Sequence, residues 1–170
     1  MIVIAWAMTT IGILSDTHAW WDERYAKYLG DCDEIWHAGD IGSDEVADKL
    51  ESLTRLRAVY GNIDGWSLRC RFKQHEVFTV EGLKVLMTHI GGYPGKYAPG
   101  IRAMIMRERP DIFISGHSHI LKIMNDPTLH CLHINPGAAG RYGIQTVSTL
   151  VLLKLDSGKP VGCNVIELAR

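Results

Sequence analysis

Five apolar runs in this chain each end at a short polar motif, and this limits what it can fold into. Ile11-Gly12-Ile13-Leu14-Ser15 leads into Asp16-Thr17-His18, and Ile35-Trp36-His37-Ala38 leads into Gly39-Asp40. Leu56-Arg57-Ala58-Val59-Tyr60 leads into Gly61-Asn62. Leu83-Lys84-Val85-Leu86-Met87 leads into Thr88-His89, and Ile112-Phe113-Ile114-Ser115 into Gly116-His117-Ser118-His119. Open α/β sheets place ligand chemistry at the carboxyl ends of their strands. Five such ends in one chain of 170 residues can converge on a single rim.

That length suits one domain with a substantial core, taken here as 1–170. Apolar residues make up 46% and charged residues 22%, as in ordinary globular proteins. The formal net charge of −1 provides no overall basic field, so long nucleic acid is not an expected partner. Cys32, Cys70, Cys131 and Cys163 form no Cys-x-x-Cys pair, which argues against a zinc ribbon or a disulfide scaffold. Reduced thiols point to a cytoplasmic protein. The apolar stretch 1–8 is too short to span a bilayer and lacks the basic flank of a secretory signal, so no membrane association is expected. Residues 1–7 read as a translation-start extension or an overhang.

The first half alternates strand and helix patterns. Short helices are expected over Asp22 to Leu29 and from Ser43, a plausible N-cap, to about Leu53. A third runs from Pro99, in its first turn, to Arg109. The second half reads as hairpins. His75 to Val80 and Leu83 to Thr88 flank the Glu81-Gly82 turn. Ile120 to Met124, Leu129 to Asn135, Thr149 to Leu155 and Val161 to Glu167 follow as strands. Two sheets face to face with helices outside accommodate both halves. Gly91 to Gly100, rich in glycine, proline and tyrosine, reads as a mobile flap beside His89.

The motifs supply carboxylate, imidazole and amide donors, a set that suits a borderline divalent metal. Asp16 and His18 lie two apart, so an extended segment would point both the same way, and His117 and His119 share that spacing. Gly39, Gly61 and Gly116 would let the backbone turn sharply at the strand ends. Two ions roughly 3.5–4 Å apart can clamp a phosphate and lower the pKa of a bridging water.

The ordered set Asp-x-His, Gly-Asp, Gly-Asn, lone His and Gly-His-x-His resembles the calcineurin-like metallophosphoesterase superfamily over nearly all of residues 9–155. Within it, the chain is similar to the small single-domain bacterial and archaeal phosphodiesterases. The resemblance implies an α/β (α+β) fold: a four-layer α-β-β-α sandwich of two mixed sheets flanked by helices. It implies one metal on Asp16, His18, Asp40 and His119, and a second on Asp40, Asn62, His89 and His117, with Asp40 bridging. Asp40, Asn62 and His18 would carry catalysis, and Asn62 would also orient the phosphate. The ions would be manganese, with nickel, iron or zinc as alternatives, and the substrate a small phosphate ester. A dimer or tetramer is a common state among relatives. The same fold also serves as a non-catalytic retromer scaffold subunit, the rival reading, and a phosphomonoesterase is a further alternative.

One departure stands out. Many members read Gly-Asn-His in the third motif, and that His protonates the leaving group. Ile63 stands there, and an alkyl side chain donates no proton. The expectation is a preference for leaving groups that need little protonation, or use of His18 or water as the acid. Outside the ligand set, Tyr93 and Tyr97 are candidate substrate contacts, and Arg141 either meets a phosphate or is a solvated turn residue. Trp20 and Trp21 either stack on substrate or pack the following helix, with packing favoured. Asp64 reads as steadying the Asn62 loop. His37, His75, His130 and His133 fit no motif, and His37 is the one best placed to support a ligand.

Overall fold

A computed structural model describes residues 8–170; the 1–7 extension lies outside the described residues. The chain runs β1 (Thr9–Leu14), α1 (Arg24–Leu29), β2 (Glu34–His37), α2 (Asp44–Leu53), β3 (Arg55–Ala58) and α3 (Trp66–Arg71). It continues with β4 (His75–Val80), β5 (Leu83–Thr88), β6 (Gly92–Tyr93), β7 (Lys96–Tyr97), α4 (Ile101–Glu108) and β8 (Ile112–Ile114). β9 (Leu121–Asp126), β10 (Cys131–Pro136), β11 (Val147–Asp156) and β12 (Lys159–Ala169) complete it. One sheet has the order β12-β11-β1-β2-β3 and the other β4-β5-β8-β10-β9.

Alternation along the strands explains how the layers stack. Ile11, Ile13, Trp36, Val151 and Leu153 of the first sheet meet Val85, Met87, Ile112, Ile114 and Ile134 of the second in one buried cluster. Their neighbours on the opposite face of the first sheet, Leu14, Ile35 and Leu150, pack with Tyr25, Leu29, Val46, Leu50 and Leu68 of α1, α2 and α3. On the outer face of the second sheet, Leu86, Phe113 and Cys131 pack against Ile101 and Ile105 of α4. The result is the expected α-β-β-α sandwich. Both sheets are mixed: β1, β2 and β3 are parallel, as are β5, β8 and β10, and antiparallel strands flank each set. Parallel strands need crossovers; α1, α2 and α4 lie in three of them, and β9 lies in the fourth, between β8 and β10. All five motif-bearing strands therefore end on the same rim. Among the described residues no helix is long and apolar enough to cross a membrane.

Several expectations need correction. Helix α2 starts as expected, with Ser43 Oγ accepting from the Val46 N–H. Helix α4 starts two residues later than expected: Gly100 is its N-cap at φ +82°, and Pro99 precedes the first turn. Helix α3 was not expected. At six residues it is too short to show a periodic apolar stripe. The Gly91 to Gly100 segment is a tied hairpin. β6 pairs with β7, the Ala98 N–H donates to the Gly91 carbonyl, and the Tyr97 hydroxyl donates to Asp126 Oδ2 at 2.6 Å.

His133 on β10 is fully buried, and burial pushes its pKa down to about 4. Its Nε2 lies 3.0 Å from Ser115 Oγ, and its Nδ1 has no partner. Between about pH 6.5, the usual His value, and about pH 4 the unfolded chain takes up a proton that the folded chain refuses. Stability should therefore fall as pH drops through this window, by on the order of 2 kcal/mol from this group. Urea midpoints at pH 7 and pH 4.5 should show a smaller acid loss in His133→Gln than in the wild type.

Candidate metal centre

The ends of β1, β2 and β8 deliver ligand-type side chains to the rim through an unusual backbone, whereas Asn62 after β3 and His89 after β5 reach it without one. Asp16 (φ 56°), His18 (φ 46°), Asp40 (φ 54°), His117 (φ 68°) and His119 (φ 59°) all occupy the left-handed region. Such conformations cost on the order of 1–3 kcal/mol each and cluster where function requires them. The extended arrangement expected of Asp16-Thr17-His18 is therefore wrong, although the two side chains still come together. The glycines differ from expectation too. Gly39 does turn at φ +95°, but Gly61 does not occupy the left-handed region. Gly61 is needed for close approach, because a Cβ there would overlap Asp40 Oδ1.

The side chains form two adjoining groups, Asp16 with His18 and His119, and Asp40 with His89 and His117. Asp16 Oδ1 lies 3.2 Å from His119 Nε2 and 3.9 Å from both His18 Nε2 and His89 Nε2. Asp40 Oδ2 lies 3.2 Å from His89 Nε2 and 3.7 Å from His18 Nε2. The two groups thus meet across His18 and His89. Asn62 Oδ1 sits 3.1 Å from His89 Nε2. His117 and His119, despite their shared spacing, go to different groups.

The chemistry of this donor set fits divalent cations. Asp16 Oδ1 is buried with no hydrogen-bond partner, which is costly for a carboxylate oxygen without a cation. His89 Nδ1 lies 2.8 Å from the Ala38 carbonyl, which can only accept, so Nδ1 carries the hydrogen and Nε2 faces the centre. His18 Nε2 and His119 Nε2 approach to 3.2 Å, so two ring nitrogens converge on one point. Burial opposes ionisation of Asp40, but the His89 bond and charge and the Ile63 N–H together hold its carboxyl below the usual range. Burial likewise opposes charging of His89, yet Asp40 and Asp16 raise its pKa. Burial dominates at His18 and lowers its pKa. The Asp16 carboxylate beside it raises that of His119.

A second layer holds these groups. Asp64 accepts from the N–H groups of Gly61 (2.7 Å), Gly42 (2.7 Å) and Ile41 (3.2 Å), which ties the Asp40 and Asn62 loops together as expected. His37 accepts from the Gly39 N–H at Nδ1 (3.1 Å), so its Nε2–H is free to donate to Thr17 Oγ1 at 2.9 Å. Thr17 then donates to the Ile41 carbonyl. The sequence reading missed Asn135 as a brace: its Nδ2 donates to the Gly116 carbonyl (2.8 Å) and Ser118 Oγ (3.1 Å). It also missed Tyr142, whose ring stacks on His18 at 4.7 Å. Asn135 opens Asn135-Pro136-Gly137, a local turn signal that could have marked it; nothing local marks Tyr142.

The expected substrate contacts separate. Tyr93 walls a cavity next to His117, with Lys122 Nζ 3.7 Å above its ring. Arg141 does not join the ligand groups; its guanidinium stacks 4.2 Å over Trp20. Trp21 packs edge-on against Tyr25, as expected. Tyr97 serves the hairpin through Asp126. His75 bonds Thr88 Oγ1 at 2.8 Å and lines a cavity of about 210 Å³ that also touches Asn62 and His89.

Comparison with known proteins agrees with this geometry. A Methanothermobacter thermautotrophicus protein described as a "probable metallophosphoesterase" is 28% identical, over 94% of this chain and 99% of its own length. Among solved structures, one described as a novel archaeal phosphodiesterase has a TM-score of 0.73 at 24% identity, covering 94% of this chain and all of its own. Vps29 of Chaetomium thermophilum also reaches 0.73, at 15% identity and 95% coverage of both chains. The model of the calcineurin-like phosphoesterase superfamily domain matches residues 9–158. The family match over residues 9–158 shows that the chain belongs to the calcineurin-like phosphoesterase superfamily, and the two donor groups fit a metal-dependent phosphoesterase.

Proposed function

We propose that the protein is a dinuclear metal-dependent phosphodiesterase of the cytoplasm. The observation that carries this reading is the unpartnered, buried Asp16 Oδ1 with three imidazole Nε2 atoms within 3.9 Å, next to a second carboxylate-imidazole group around Asp40. Asp16, His18, Asp40 and His119 would hold one ion, and Asp40, Asn62, His89 and His117 the other. Manganese suits this mixed oxygen and nitrogen set, and nickel, iron or zinc would also be accepted. When bound, the ions would offset phosphate charge and supply an acidified water for attack on phosphorus.

The protein's own groups do the rest. The buried carboxylates of Asp16 and Asp40 set the negative charge of the centre, and the His89–Ala38 bond keeps one ring nitrogen aimed inward. Asn62, exposed at the rim, would orient a phosphate oxygen. Ile63 is 46% exposed beside it and supplies no proton, while its backbone N–H donates to Asp40 Oδ1 at 3.0 Å. Four free cysteines support a reducing compartment.

The test is hydrolysis of bis-p-nitrophenyl phosphate by chelator-stripped protein, before and after manganese is added, beside the monoester p-nitrophenyl phosphate. Manganese-restored turnover with the diester preferred is expected. A preference for the monoester would make the protein a phosphatase. A folded protein inactive with all four metals would favour the scaffold reading, which likeness to Vps29 keeps in view. Because position 63 lies at the exposed rim, Ile63→His should raise rates on diesters with poor, alkoxide-like leaving groups by about 10–100-fold and barely change p-nitrophenyl esters. Equal rates for both variants across a leaving-group series would sink this account of position 63.

A further inference from the structure

A cavity of about 360 Å³ adjoins the metal centre along Gly116-His117-Ser118, within the size range of small-molecule sites. Tyr93 and Lys96 of the β6–β7 hairpin and Lys122 of β9 line it, as does the buried His133. No carboxylate lines it, so it is locally positive in a chain whose net charge is −1. Neither lysine enters an ion pair among the described residues. Lys122 is instead held over the Tyr93 ring, a contact that positions an ammonium without neutralising it. Asp126, at the end of the same strand as Lys122, is already engaged by the Tyr97 hydroxyl and the N–H groups of Thr128 and Leu129. His133 closes one wall of the cavity, with its Nε2 3.0 Å from Ser115 Oγ.

We infer that this cavity is a subsite for one ester group of the substrate, and that the group it takes is a nucleotide unit carrying a second phosphate. The inference deepens the phosphodiesterase reading and rests on it. The scissile phosphate belongs at the donor groups beside His117. Lys96 and Lys122 meet the second phosphate, which the metals cannot also hold, and the nucleoside lies along the wall that His133 closes. The Tyr93 ring bounds the sugar or base. A bare p-nitrophenyl group satisfies none of these polar partners.

The test is calorimetric titration of the manganese-loaded protein with thymidine 3′,5′-bisphosphate and with thymidine 5′-monophosphate. The bisphosphate should bind at least about tenfold more tightly, about 1.4 kcal/mol. Lys96→Ala/Lys122→Ala should abolish that preference, whereas Lys159→Ala, an exposed lysine in the β11–β12 hairpin, should keep it. If the double variant does not fold, Lys122→Met, which keeps the aliphatic stem over Tyr93, should lose most of the preference. Equal affinities in the wild type, or a preference that survives loss of both lysines, would overturn the subsite. Turnover of bis-p-nitrophenyl phosphate by the same preparation judges the parent reading separately. Turnover without a bisphosphate preference removes only the subsite. A preference without turnover removes the phosphodiesterase.

Discussion

Asp40→Asn should lower manganese-dependent diester hydrolysis by at least about 10³-fold while leaving the fold intact. The substitution keeps size and shape, and one amide oxygen can still accept the Ile63 N–H that Asp40 Oδ1 accepts at 3.0 Å. What it removes is charge at the point where both donor groups meet, 3.2 Å from His89 Nε2 and 3.7 Å from His18 Nε2. In the proposed scheme Asp40 would hold both ions, a role worth several kcal/mol, and each 1.36 kcal/mol is tenfold in rate. The metal-free variant should be somewhat less stable than the metal-free wild type at neutral pH, because the fold holds the Asp40 carboxyl below its usual range and the substitution removes that contribution. Metal-induced stabilisation should shrink, since a ligand raises stability only through its affinity for the folded state. Three measurements check this: kcat, bound manganese per chain, and the thermal midpoint with and without manganese. Activity within tenfold of wild type would show that Asp40 does not bridge.

The second large effect falls on a residue that binds no metal in the proposed scheme. Asp64→Ala should lower the thermal midpoint of the metal-free protein by roughly 10 °C. The Asp64 carboxylate accepts from three backbone N–H groups and is 3% exposed. Each donor left without a partner costs about 1–3 kcal/mol, less where water or a shifted loop replaces the carboxylate. A total near 3–4 kcal/mol, at about 2–4 °C per kcal/mol for a chain of this size, gives the stated shift. The same change frees the loop after Asp40 from the loop carrying Asn62, so manganese affinity should fall together with stability. Asp64→Asn, which keeps one acceptor oxygen, should lose less of both. A midpoint unchanged in Asp64→Ala would mean that the two loops are held by packing alone.

These two residues mark the division between what the chain reveals locally and what folding decides. The donor types, their order and their position after apolar runs are local facts, and the five strand ends appear where the runs stop. The β4–β5 hairpin and the Ser43 cap are equally local, since a two-residue turn or a single hydroxyl specifies each. By contrast, a spacing of two cannot tell that His117 and His119 serve different donor groups. Left-handed backbone at both residues, held by Asn135 and by the Asp16 Oδ2 bond to the His117 N–H, separates them. Helix α3, the tied β6–β7 hairpin and the stacking of Arg141 on Trp20 were likewise invisible, because each depends on partners distant in sequence or on a segment too short to be periodic. The charged cavity beside His117 belongs to the same class. Its lysines, its tyrosine and His133 come from four strands and become neighbours only when β9 and β10 pair and the hairpin docks beside them. Sequence thus determined which atoms can bind metal and phosphate. Long-range strand pairing and buried hydrogen bonds decided which atoms meet, because those contacts join residues that no local pattern relates.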